Sequence, residues 1–80
     1  MERTVEGAFG AVIRELRLAQ GISQETLLFE AGRHRTYVSL IEYGKNSPSI
    51  ATLWALAEAL DVRPSEIVVR VEQRLKGRRR

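Results

Sequence analysis

The 80-residue sequence has no cysteine and a single histidine. A disulfide framework and any cysteine-ligated metal site are therefore excluded. One histidine, no cysteine and no convergent pair of carboxylates leave an enzyme without its usual nucleophiles, bases and metal ligands. No catalytic residue, metal or cofactor is expected. Long apolar runs are absent too. No stretch approaches the roughly 18 apolar residues that a membrane helix needs. Residues 1–20 carry Glu2, Arg3, Glu6, Arg14, Glu15 and Arg17, which leaves no apolar core for a leader segment. No membrane partner is expected, and the lack of cysteine suits a reducing cytoplasm. There is no internal repeat and no interdomain linker.

What is present fits one small globular domain. Hydrophobic residues make up 44% and charged residues 29%, a balance that can bury a modest core. We expect that domain over residues 1–76, followed by a basic tail, 77–80. The formal charge of +3 is unevenly placed. Residues 70–80 hold six basic side chains against Glu72, a net of +5, whereas residues 1–69 hold 7 basic and 9 acidic side chains, a net of −2. A surface that attracts anions must be a local patch on the body or the tail itself.

Glycine, proline and capping residues divide the chain into helices. Phe9, Ile13, Leu16 and Gln20 recur at spacings of four, three and four, which predicts a helix from Val5 to Gln20. Gly21 stops it, and Gly7 and Gly10 weaken its first half by about 1 kcal/mol each relative to alanine. Ser23 can cap a second helix over 24–31, with Leu27, Leu28 and Ala31 inward. After Gly32, a third helix runs from Arg35 to Tyr43 with Val38 and Ile41 inward, and Gly44 closes it. NSPS (46–49) is a loop. Ser49 can cap a fourth helix, with Ile50, Leu53, Leu56, Ala57 and Leu60 in helical register. Pro64 opens a fifth, with Glu66 favourable in its first turn. Ile67, Val68, Val69 and Val71 are β-branched and would suit a strand. The recurrence of Ile67, Val71 and Leu75 every four residues favours helix.

Residues 24–43 form a unit of helix, glycine turn and helix. This is the pattern of a helix-turn-helix, whose second helix enters the major groove of DNA. From Phe9 to Ile67, through IRELRLAQGISQETL, AGRHRTYVSLIEYGKNSPSIATLWALAEALDV and PSEI, the chain resembles the Cro/Xre family of phage and bacterial repressors. The stretch HRTYVSLIE, a glycine and a proline loop look like the branch that includes restriction–modification controller proteins. The resemblance implies an all-α, compact, five-helix lambda-repressor-like domain. It also has departures. Leu28 stands where a small residue is usual, Arg33 where an apolar one is, and Phe29 at a normally solvated position, so the angle between the two helices is where this chain should differ.

The resemblance implies that Arg35, Thr36, Ser39 and Leu40 face bases. Arg35 has the chemistry for it, a fork matching guanine O6 and N7 and worth about 1–3 kcal/mol of discrimination. Thr36 offers a hydroxyl or a methyl group, and Leu40 meets a thymine methyl or skirts the groove. Gln24 is implied to touch phosphate at a helix N-terminus and to brace the recognition helix. Tyr43, Lys45, Asn46 and Ser47 are similar to the family's second phosphate clamp, although Tyr43 could instead pack as an aromatic. Tyr37 is open in the same way. His34 stands where an N-cap serine is usual and would cap or contact phosphate. Arg17 and Glu42 match a family pair that ties the first helix to the third.

The implied partner is a double-stranded, palindromic DNA operator bound by a homodimer, with no small-molecule effector domain. Trp54 falls off the apolar stripe of its helix, and tryptophan is enriched at interfaces. Trp54, Ile67, Val68, Val71 and Leu75 are therefore candidates for the dimer interface. The competing possibility is that Trp54 lies under the C-terminal segment of its own chain. The tail KGRRR (76–80) can either attract phosphate nonspecifically or simply be solvated. The rival function is a protein-interaction module of the same fold, such as an antitoxin or a partner-binding regulator. The polar face of Arg35, Thr36 and Ser39 favours DNA.

Overall fold

Thr4 starts the first helix: its Oγ1 accepts a hydrogen bond from the Gly7 amide at 2.9 Å, as an N-cap does. The computed structural model describes residues 4–31, 35–45 and 48–77, and their side chains except at 28–31, 35–38 and 77. Among the described residues there are five helices, α1 (Val5–Ala19), α2 (Gln24–Ala31), α3 (Arg35–Glu42), α4 (Ile50–Ala59) and α5 (Pro64–Gly77). None is long and apolar enough to cross a membrane. Ser23 Oγ accepts from the Thr26 amide at 3.0 Å at the start of α2. Ser49 Oγ does the same for the Thr52 amide at 3.1 Å at the start of α4.

Three helices end alike. The Gly21 amide donates to the Leu18 carbonyl and the Ile22 amide to the Arg17 carbonyl. The same pair of bonds recurs after α3 at Gly44 and Lys45, and after α4 at Asp61 and Val62. This double closure satisfies orphan carbonyls and places one residue in the left-handed region. Those residues are Gly21 (φ 69°), Gly44 (φ 73°) and Asp61 (φ 57°).

The core gathers Phe9, Val12, Ile13 and Leu16 of α1, Leu27 of α2 and Ile41 of α3. Leu53, Leu56 and Leu60 from α4 and its cap, with Ile67 and Val71 of α5, complete it. α1 packs on α3 and α5, α2 on α3 and α4, and α4 on α5. α3 is thus held from two sides. The Gln20 side-chain amide donates to the Leu60 carbonyl and ties the end of α1 to the end of α4.

The β-branched run is helical. Ile67 and Val71 face the core, and that burial outweighs strand propensity. It also corrects two of the interface assignments: Ile67 is 0% and Val71 8% exposed within their own chain, so neither offers surface to a second copy. Leu75 is half-buried against the core, whereas Val68 and Trp54 are exposed. Trp54 is therefore not buried beneath the described part of its own C-terminal helix. Ile50, expected inward, is 70% exposed at the first turn of α4.

Candidate nucleic-acid interface

The α2–α3 pair is fixed to the body through one carboxylate. Arg17 on α1 donates from Nε to Glu42 Oε2 at 2.6 Å and from Nη2 to Oε1 at 3.1 Å. The Gln24 side-chain amide donates to the same Oε1 at 2.9 Å. Arg17 Nη1 donates to the Ile22 carbonyl at 2.9 Å, so this guanidinium also pins the turn before α2. The Arg17 and Glu42 side chains are only 9% and 2% exposed. A planar guanidinium fork is suited to this double bond. With its charge met by Arg17, Glu42 adds little repulsion toward a polyanion beside α3.

Gly10 sets how closely α3 approaches α1. A Cβ at that position would lie 2.1 Å from the Ile41 carbonyl oxygen. At the end of α3, a Cβ on Gly44 would lie 3.0 Å from the Gly7 Cα. The two backbones meet where a side chain would hold them apart. The contact was not foreseen in the sequence, although a glycine inside a helical pattern is the signal that points to one.

On the outer side of α3, Ser39 is half-buried and Leu40 exposed, while Ile41 beside them is fully buried. Tyr43 caps the helix and is 75% exposed, so its ring is not packed. Lys45 is exposed and takes part in no ion pair among the described residues. Gln24 stands at the first turn of α2 and has the bracing bond that the resemblance implied. The backbone of α3 carries Arg35, Thr36 and Tyr37 in its first turn, and their side chains lie outside the description. His34, Asn46 and Ser47 lie outside the described residues, as do Arg33 and the side chains of Leu28 and Phe29.

Two short helices, the second clamped to the body with Ser39 and Leu40 turned outward, define a helix-turn-helix domain. The chain belongs to the helix-turn-helix family, of Cro/Xre type, whose family model matches residues 13–67. It is 36% identical over 69 residues to the control protein C.BamHI of Bacillus amyloliquefaciens, covering 85% of each chain. Its fold is similar to the crystal structure of the restriction–modification controller protein C.AhdI of Aeromonas hydrophila. That match has 45% identity and a TM-score of 0.76, and covers 78% of this chain and 94% of that one. It is also similar to the controller protein C.Esp1396I, solved as a tetramer in complex with its natural 35-base-pair operator. There the identity is 26%, the TM-score 0.83, and the coverage 92% of this chain and 97% of that one.

Proposed function

We propose that this chain is a regulator of transcription that binds double-stranded DNA sequence-specifically as a homodimer, with α3 in the major groove of each half-site. The carrying observation is the Arg17–Glu42–Gln24 clamp, which ties the end of α3 to α1 and α2 while Leu40 stays exposed. Base reading needs side chains held in register on a rigid element. Relatives named as controller proteins, one of them solved on an operator, support the same reading.

In this proposal Arg35, Thr36, Ser39 and Leu40 read bases. Gln24, His34, Tyr37, Tyr43, Lys45, Asn46 and Ser47 anchor the backbone. The regulated DNA places the protein in the cytoplasm. Its action is repression or autoregulation, and the operator is palindromic because the reader is twofold.

The test is selection of bound duplexes from a random library at about 150 mM salt, a concentration that suppresses sequence-blind attraction. A palindrome should emerge. Arg35→Ala should cost about 1–3 kcal/mol and relax preference at one position in each half-site. Weak binding without sequence preference would remove the proposal in favour of a protein-interaction module.

A further inference from the structure

α4 carries a large, half-exposed apolar side chain, and near its first turn opens an apolar depression. Trp54, the only tryptophan, is 54% exposed. Val5, Phe9, Pro48, Ile50 and Leu53, with the polar Glu6 and Ser49, line an open and mostly apolar cavity of about 150 Å³ between the starts of α1 and α4. Ile50 and Trp54 are four residues apart, so they share one flank of the helix. Val5 at the rim is also exposed, like Ile50.

We propose that the cavity is the seat of Trp54 from a second copy of this chain, the two copies exchanging tryptophans across a twofold axis. The proposal rests on the homodimer reading above and names its central contact. Three observations select this occupant. An open, mostly apolar cavity of roughly 150 Å³ matches in volume a site that takes one benzene-sized ring, which is the six-membered half of an indole. Among the described residues, the other exposed aromatic is Tyr43, which stands at the end of the recognition helix. Indole and cavity also lie on one patch, as a self-complementary isologous contact requires. A stable interface takes about 800 Å² from each partner, about a sixth of the 5246 Å² surface here. The exposed Val5, Ile50 and Trp54 can supply its centre.

The seat has a consequence for DNA binding. Pro48 forms one wall of the cavity, and it ends the loop that leaves the recognition helix. A partner's indole held against Pro48 would therefore link dimerisation to the segment that follows the recognition helix.

The experiment is done first without DNA. Sedimentation and the emission of the single tryptophan are followed through a dilution series of the full chain. Trp54 emission should shift to the red as the dimer dissociates. Ile50→Glu and Val5→Glu, both at exposed positions, should weaken dimerisation by about 30-fold or more, as loss of a central hot spot does. Both should redden the emission at concentrations where the unaltered chain is dimeric, with unchanged circular dichroism. A dimer whose tryptophan emission ignores dilution, or one unmoved by both rim variants, overturns the seat and leaves the dimer and DNA readings intact. A chain that is monomeric throughout yet selects an operator overturns both the seat and the dimer. Failure of operator selection by a chain that dimerises through Trp54 removes the DNA reading and keeps the seat.

Discussion

Glu42 shows how much a single side chain can carry in a small domain. Its carboxylate receives three hydrogen bonds from α1 and α2 while sitting at the end of α3. Removing it leaves the Arg17 guanidinium buried without a counter-charge. Breaking a buried pair from one side costs about 3–5 kcal/mol, most of it the stranded charge. We therefore expect Glu42→Ala to lower unfolding free energy in urea by about that amount. Arg17→Met with Glu42→Leu should be less damaging than the sum of the single changes. Additive losses in this double-mutant cycle would show that the pair is not an energetic unit. Gly10 is the second such residue, and here two effects compete. Alanine would gain about 1 kcal/mol of helix propensity. Its Cβ would meet a backbone oxygen at 2.1 Å, where no flexible side chain can yield, and overpacking costs about 1–3 kcal/mol. Gly10→Ala is expected to destabilise the fold and to weaken DNA binding, because relief of the clash requires α3 to move. An increase in melting temperature would refute the close approach.

At the scale of elements, much of the fold was legible because its punctuation is local. Ser23, Ser49, Gly21, Gly44 and Pro64 mark helix ends by their own chemistry, and the period of four through Ile67, Val71 and Leu75 identified α5. What escaped was whatever depends on the approach of distant segments. Gly7 and Gly10 read as weak points in an isolated helix, yet Gly10 permits the α1–α3 contact. The Gln20 bond to the Leu60 carbonyl joins residues forty apart. Periodicity puts Ile50 on an inner stripe, and the C-terminal segment with Ile67 and Val71 is assigned to a partner. The observed packing turns Ile50 outward and the other two inward, since the way α1, α4 and α5 fit together decides which edge of an apolar stripe is covered. The Arg17–Glu42 pair and the brace from Gln24 came from resemblance, and their convergence on one carboxylate oxygen only from structure. Helix ends also give a prediction. The α1 and α4 caps have the same bonding, one with Gly21 and one with Asp61 in the left-handed region. That region costs an L-residue roughly 1–2 kcal/mol, with Asp among the more tolerant residues. Glycine gives back part of that gain as unfolded-state entropy. Asp61→Gly should therefore stabilise by about 0.5 kcal/mol, or roughly 2–4 °C in Tm for a domain of this size. Gly21→Ala, with nothing within 4 Å of the added Cβ, should cost about 1 kcal/mol from backbone strain alone. Equal and opposite signs from those expected would mean that the two caps are not equivalent.

Charge and symmetry act over the whole molecule. Arg70 pairs with Glu66 and Arg74 with Glu15, so much of the positive charge of α5 is already met within the chain. The three terminal arginines account for the whole net charge: without residues 78–80 the formal charge falls from +3 to zero. Deleting them should flatten the dependence of log K on log salt by about 0.9 for every phosphate they neutralise, with the operator preference retained. An unchanged slope would make the tail a solvated appendage. In the proposed function, operator preference depends on dimer geometry. The proposed twofold dimer, joined where Trp54 of α4 meets the cavity between the starts of α1 and α4, would have to offer its two α3 helices to successive major-groove faces of B-DNA, about 34 Å apart. The domain measures 24 × 22 Å across its shorter axes, which suits one domain per half-site at that spacing. Inserting five base pairs between half-sites turns one of them to the opposite side of the duplex, so only one domain can engage. Affinity should then fall to that of a single domain on an isolated half-site. Ten added base pairs restore the face but double the distance, which an interface centred on a buried indole cannot stretch to span, so they should not rescue binding by one dimer. Full affinity with a five-base-pair insert would require flexibly linked readers, and the rigid twofold arrangement would have to be abandoned.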